Sequence, residues 1–253
     1  TASETEEVFA TPEWVKNAGA KGWLWTAGGT GISPDGKVWM PDFGDPIFLE
    51  KHEKFVKALA ERYDGSPLLD YIDISSIGVW GEGHTGNTGV VVSAETIKKH
   101  IDIYYKYFKK TPITGRDDWK FYDEWMPYAV ERSVGIRDDS LPGNFEHARF
   151  WDVNTEKGDA EPFWRKGLII LESSHNQDAK NVGEWIDGKG FADVVEWYHA
   201  SYASMHDFPR EFYNENPWWV DRMKMRLGYR ILPFEISYKN DAMVRQPFTF
   251  DIN

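Results

Sequence analysis

The stretch Gly167-Leu168-Ile169-Ile170-Leu171-Glu172 decides the fold. An unbroken apolar run of this length fits a strand buried on both faces, as in a parallel sheet covered by helices. A strand with one wet face would alternate polar and apolar residues, and this one does not. Glu172 closes the run, and Ser173-Ser174-His175-Asn176 carries the chain into a polar loop.

Upstream, the same unit recurs. Asp45 can cap a helix with Pro46 at its first position. Phe48, Phe55, Val56, Leu59 and Tyr63 then continue at helical spacing, which predicts a helix to about Arg62. Tyr71 to Val79, weighted with Ile72, Ile74, Ile77 and Val79, reads as a strand that stops at Trp80-Gly81-Glu82-Gly83-His84. Ser93 caps a second helix with Ile97, Ile101, Tyr104, Tyr105 and Phe108 on one face. Pro112 to Thr114 reads as a short strand, Trp119 to Arg132 as a helix, and Val134 to Arg137 as a strand ending in Asp138-Asp139-Ser140. An irregular segment runs from there to Lys166. Beyond the apolar run, Phe191 to His199 reads as a helix, Ala200 to Met205 as a strand and Trp218 to Leu227 as a helix. Gly228 to Tyr238 and Gln246 to Asp251 read as strands of an antiparallel unit. Residues 8–47, punctuated by seven glycines and by Pro12, Pro34 and Pro41, read as a long loop carrying Trp14, Trp23, Trp25 and Trp39.

Strands alternating with helices specify an α/β protein with a parallel sheet. Both the open doubly wound fold and the (β/α)8 TIM barrel satisfy that pattern. No glycine-rich dinucleotide fingerprint opens a helix, which counts against a Rossmann domain. Charged residues follow at least three strands (Glu82; Asp138 with Asp139; Glu172), and barrel active sites are built at the C-terminal ends of several strands. About five strand–helix units are legible against the eight of a barrel. The expectation is therefore an incomplete TIM barrel over residues 1–227, holding about strands 4–8, with the start of a β-rich unit over 228–253. The remainder of a longer polypeptide would complete it.

Composition narrows the function. The 253 residues are 41% hydrophobic and contain no cysteine, which removes disulfides, zinc–thiolate sites and cysteine nucleophiles. Lys plus Arg number 29 against 41 Asp plus Glu, a formal charge of -12 that repels phosphate backbones and argues against nucleic acid. No apolar run approaches the ~20 residues of a membrane span. Thr1 to Glu7 is polar and acidic, with no signal-peptide pattern. Aromatic residues reach 16%, with 13 Trp and 12 Tyr, a density that suits stacking on sugar rings as well as packing a core.

Two carboxylates stand out. Glu82 follows a strand between Gly81 and Gly83, where small neighbours let a substrate come close, with Trp80 offering a stacking face and His84 a hydrogen-bond donor. Glu172 ends the purest apolar strand. They are 90 positions apart, about three βα units of ~30 residues, which puts them on opposite sides of one barrel mouth. Paired carboxylates across a mouth suit glycoside hydrolysis. Arg137 and Asp138 or Asp139 can bind sugar hydroxyls or an anionic substituent. His175, Asn176, His199 and Tyr202 can line the same pocket, and Trp25 and its loop neighbours can contact sugar.

Tyr63-Asp64-Gly65, Tyr71-Ile72-Asp73-Ile74, Gly78-Val79-Trp80-Gly81-Glu82-Gly83-His84, Ile136-Arg137-Asp138-Asp139-Ser140 and Ile169-Ile170-Leu171-Glu172 together resemble the clan-A (β/α)8-barrel glycoside hydrolases, in particular β-galactosidase- and agarase-like bacterial proteins. The resemblance spans roughly residues 10–235 and implies a retaining mechanism on a poly- or oligosaccharide. It makes Glu82, after the fourth strand, the acid/base and Glu172, after the seventh, the nucleophile. It implies no cofactor, and placement outside the cytoplasm by analogy with polysaccharide chemistry. One departure is that Gly81 stands where the clan has an Asn that holds the sugar 2-hydroxyl. Two other readings remain: a carbohydrate-binding protein on an inactive barrel, and a metal-dependent barrel hydrolase using Glu82, His84, Asp138, Asp139, Glu172 and His175. A structural Ca2+ also suits so acidic a chain.

Overall fold

Why the central strands pair as they do is visible in β8, Ile169–Ser173, where Ile169, Leu171 and Ser173 are each 1% exposed on one face. A computed structural model of the chain describes residues 11–26, 37–86, 88–141, 151–152, 157–158, 161–177, 189–205, 207–228, 236–238 and 249–252. In chain order the helices are α1 (Glu13–Asn17), α2 (Pro46–Tyr63), α3 (Ala94–Tyr107), α4 (Tyr122–Glu131), α5 (Glu161–Trp164), α6 (Lys189–Trp197), α7 (Arg210–Glu215) and α8 (Pro217–Arg226). The strands are β1 (Gly22–Thr26), β2 (Lys37–Pro41), β3 (Ile72–Asp73), β4 (Ile113–Arg116), β5 (Gly135–Leu141), β6 (Trp151–Asp152), β7 (Lys157–Gly158), β8, β9 (Tyr202–Ser204), β10 (Ile236–Tyr238) and β11 (Phe250–Ile252).

Five strands, in the order β3-β4-β5-β8-β9, form one all-parallel sheet. It is curled into half a barrel. The curl follows from two tyrosines at its opposite edges. Tyr71, entering β3, and Tyr202, opening β9, have ring centroids 5.8 Å apart. In a flat sheet those strands would lie four spacings, about 19 Å, apart. Both rings project from the face that carries Asp73 and Glu172, so that face is concave. The described residues thus show an α/β half-barrel of five parallel strands, and not an eight-stranded closure.

The helices form where their caps and stripes dictate. Asp45 accepts from the amides of Ile47 and Phe48 at 2.9 and 3.0 Å and starts α2 with Pro46 behind it. Ser93 accepts from Thr96 N and starts α3, which buries Ile97, His100, Ile101 and Tyr104. α2, α3 and α4 pack side by side, with α3 against β4. Each fully buried Ile on that stripe contributes about 1.5–3 kcal/mol. α6 buries Phe191, Ala192, Val194 and Val195 completely and leans on α8, where Arg222 forks across Glu196 and Asp193. Trp119 and Trp125 meet edge to face at 5.2 Å in the core, so part of the aromatic content is packing.

Several expectations need correction. Residues 8–47 are not one loop: α1 precedes an antiparallel hairpin in which β1 pairs with β2, Leu24 opposite Trp39. The strand expected over 71–79 stops at Asp73. Ile74, Ile77 and Val79 are apolar because they are core residues at 1% exposure or less, and a turn begins at once with Ser75 N bonded to Asp73 O. α4 starts at Tyr122 rather than Trp119 because Phe121 sits at φ 62, outside the helical region. The segment before Lys166 holds the β6–β7 pair and α5. β10 and β11 pair antiparallel, in the part of the chain where an antiparallel unit was expected. No helix among the described residues is long and apolar enough to cross a membrane.

Candidate functional site

The strand register places charge on the concave face at the C-terminal edge of the sheet. Along β8 the side chains alternate, so Ile170 and Glu172 face inward while Leu171 faces the helices. Glu172 lies directly across from Ser204 of β9, whose hydroxyl donates to Glu172 Oε2 at 3.2 Å. From the other side Arg137 of β5 donates through Nη2 to the same oxygen at 3.4 Å. Arg137 Nη1 reaches Asp73 Oδ2, also at 3.4 Å. One guanidinium therefore bridges two carboxylates on β3 and β8.

Asp73 is the buried anchor of this network. Its Oδ2 lies 2.9 Å from Arg116 Nη2 and takes a hydrogen bond from Ser75 Oγ at 3.3 Å, while its Oδ1 accepts from Thr114 Oγ1 at 3.0 Å. Arg116 Nη2 also donates to Ser75 Oγ at 3.2 Å. Burial pushes the Asp73 carboxyl above its ordinary value, against the opposing pull of Arg116, Arg137, Thr114 and Ser75. Two acids and two guanidiniums balance in charge, which is how a polar floor survives inside the half-barrel. Asp73, Arg116, Thr114, Ser75 and Ser204 were not singled out from sequence. The available signal was an Asp inside Ile72-Asp73-Ile74 and an Arg closing Ile113-Thr114-Gly115.

Glu82 is held differently. Val79–Gly81 is a single 3-10 turn, and within and around it Gly78, Trp80, Gly81 and Gly83 take φ of 91, 52, 78 and 94. Glycine is required at 78: a Cβ there would lie 2.4 Å from His84 O. Val79 N bonded to His84 O at 2.8 Å and Gly83 N bonded to Ile77 O at 3.0 Å close the turn. Gly83 packs on Arg116 and Trp119, which fixes the turn above the end of β4. Glu82 Oε2 lies 3.1 Å from His84 Nε2, and the Trp80 ring meets His84 edge to face at 5.8 Å. Trp80 at positive φ is the kind of local strain that concentrates at functional turns.

Of the remaining sequence candidates, Asp138 is turned to the opposite face of β5 from Arg137 and is buried at 4% exposure. His175 follows β8 and is exposed. Asn176 is buried, with Oδ1 lacking a partner among the described residues. Tyr202 pairs with Ile170, one layer deeper in the half-barrel than Glu172, and meets Tyr71 rather than the rim. His199 stacks on Trp164 at 4.0 Å and belongs to packing. Trp39 is core, while Trp14 and Trp218 are exposed. The side chains of Trp25 and Asp139 lie outside the described residues. Among the described residues no three His, Asp or Glu side chains group as a metal site.

A second buried polar cluster lies behind β3. His100 Nε2 donates to the carbonyl of Phe43 at 2.9 Å, which leaves Nδ1 to accept from Ser76 Oγ at 2.7 Å. His52 stacks parallel to Phe48 and lies 5.4 Å from the His100 ring. Burial holds both imidazoles neutral, lowering His100 to about 4 and His52 to about 3.

Comparison with protein-family models, with curated proteins and with solved structures finds no match to this chain.

Proposed function

We propose that this chain carries the catalytic edge of a retaining glycoside hydrolase, with Glu172 as nucleophile and Glu82 as general acid and base. The observation that carries the reading is the placing of Glu172. It is a partly exposed carboxylate at the C-terminal end of a parallel strand, on the concave face of a half-barrel, oriented from both sides by Arg137 and Ser204. Barrels place their chemistry at that end of the sheet. Glu82 follows β3 on the same edge, three strands away in the sheet order, on a turn whose backbone only glycine-rich sequence can adopt.

In this mechanism Glu172 attacks the anomeric carbon while Glu82 protonates the departing oxygen. Glu82 then takes a proton from the water that hydrolyses the glycosyl ester. Arg137 keeps the nucleophile aimed, and His84 orients Glu82. The test is kinetic. Glu172→Ala should abolish turnover, with partial rescue by azide. Glu82→Gln should lose most on poor leaving groups and little on activated aryl glycosides. Unchanged rates in both variants would end the reading.

One observation favours a second reading, a carbohydrate-binding protein on an inactive barrel. Gly81 leaves no side chain for the sugar 2-hydroxyl, and both glutamates already have partners within the protein. Glycan binding that survives Glu82→Gln and Glu172→Gln in a protein without turnover would select it.

A further inference from the structure

Between α1, β2, α2 and the turn after β3 lies a cavity of about 450 Å3. Its wall is aromatic: Trp14, Trp39, Phe43, Phe48, Phe55 and the ring of His52. Trp14 and Phe55 stand at its rim, each 59% exposed. Polar groups are few, with Ser75 and Ser76 on one side and Lys51 on α2.

The cavity adjoins the candidate site through its wall. Gly78 lines it, and a Cβ on Gly78 would lie 2.4 Å from His84 O and 2.8 Å from Gly83 C, so the turn bearing Glu82 is its immediate backing. Ser75 lines it too and bonds Asp73 and Arg116 of the charged floor. A group held here therefore lies against the backbone of the turn that bears the proposed general acid.

We propose that this cavity binds an aromatic ring, and that the glycoside this chain fits carries an aryl aglycone joined through a phenolic oxygen. The aglycone role rests on the hydrolase reading, while the ring preference rests on the cavity alone. A volume of about 450 Å3 suits a small ligand of one or two fused rings, and ring-on-ring contacts satisfy an aromatic guest. A second sugar would set its ring of hydroxyls against Val38, Met40 and Phe48, where desolvated hydroxyls without partners are costly. In the reaction, the bond between anomeric carbon and phenolic oxygen breaks as the Glu172 ester forms, and the Glu82 proton goes to the phenol. Water then cleaves the ester and returns a proton to Glu82, leaving free sugar and phenol.

The test is calorimetric titration of the whole chain with 2-naphthol, followed by kinetics. Wild type should bind saturably, and Trp14→Ala and Phe55→Ala, both rim changes that leave the core intact, should each raise Kd at least fivefold. The same variants should lower the ratio of kcat/KM for a 2-naphthyl glycoside over the methyl glycoside by a similar factor. No saturable binding at millimolar naphthol, or equal affinity in all three proteins, overturns the proposal. Naphthol binding that responds to the variants in a protein with no glycosidase turnover supports the cavity and removes the hydrolase reading. Glu172-dependent hydrolysis whose leaving-group ratio ignores Phe55→Ala overturns the aglycone role of the cavity and leaves the hydrolase reading standing.

Discussion

Acidification from pH 7.5 to 4.5 is expected to cost this fold a large part of its stability through two histidines. An exposed imidazole titrates near 6.5, whereas burial lowers His100 to about 4 and His52 to about 3. The folded values lie below the unfolded ones, so this contribution is intact above pH 6.5 and is lost as pH falls toward 4. Each pH unit below 6.5 then costs about 1.4 kcal/mol per histidine, because the unfolded chain takes up a proton that the folded chain refuses. At pH 4.5 that is about 2–3 kcal/mol each and about 5 kcal/mol together, a large share of the ~5–15 kcal/mol typical of a domain. Asp73 works in the opposite sense. Its raised carboxyl favours the fold below the ordinary carboxylate range, and that support fades as pH rises through its folded value. The assay is urea unfolding at pH 7.5, 6.5, 5.5 and 4.5, followed by tryptophan fluorescence. His52→Phe keeps the stack on Phe48 and removes both a titrating ring and a buried Nε2 that lacks a partner among the described residues. It should halve the acid loss and leave stability at pH 7.5 equal or about 1 kcal/mol higher. A stability that is flat from pH 7.5 to 4.5, or a His52→Phe profile parallel to wild type, would refute the assignment of neutral buried imidazoles.

Two further substitutions probe the site's scaffold. Arg116→Met removes the nearer of the two guanidiniums on the buried Asp73 carboxylate, leaves it only Arg137 at 3.4 Å, and should destabilise by about 3 kcal/mol. Adding Asp73→Asn should recover part of that in urea midpoints, whereas additive losses would mean that the pair is not coupled. Gly78→Ala forces a Cβ to within 2.4 Å of His84 O at φ 91. It should cost about 1–3 kcal/mol and shift leaving-group dependence in the direction of Glu82→Gln. Wild-type stability in that variant would show that the turn is not held as described.

The parallel sheet was legible because burial on both faces leaves a direct mark, and Gly167-Leu168-Ile169-Ile170-Leu171 carries it without interruption. The caps at Asp45 and Ser93 were legible because their chemistry is local. What misled was apolarity itself. Ile74, Ile77 and Val79 are core residues at the end of a two-residue strand, and β-branched content marks their burial, not their backbone. The hairpin of β1 and β2 was hidden among glycines that read as loop punctuation. Glu82 and Glu172 could be nominated one at a time, as charges ending apolar runs. Asp73 gains its meaning from Thr114 and Arg137, 41 and 64 positions away, and no local pattern announces a partnership made by curling a sheet.

As the proposed nucleophile, Glu172 would form a covalent bond with the sugar at the mouth of this half-barrel. The most direct measurement is mass spectrometry of the intact chain and its peptides after incubation with an activated 2-deoxy-2-fluoro aryl glycoside, which slows release of a glycosyl-enzyme. One fluoroglycosyl adduct per chain is expected on the peptide holding Glu172, absent from Glu172→Ala. Turnover of the parent glycoside with an adduct on another carboxylate, or with none at all, would contradict it.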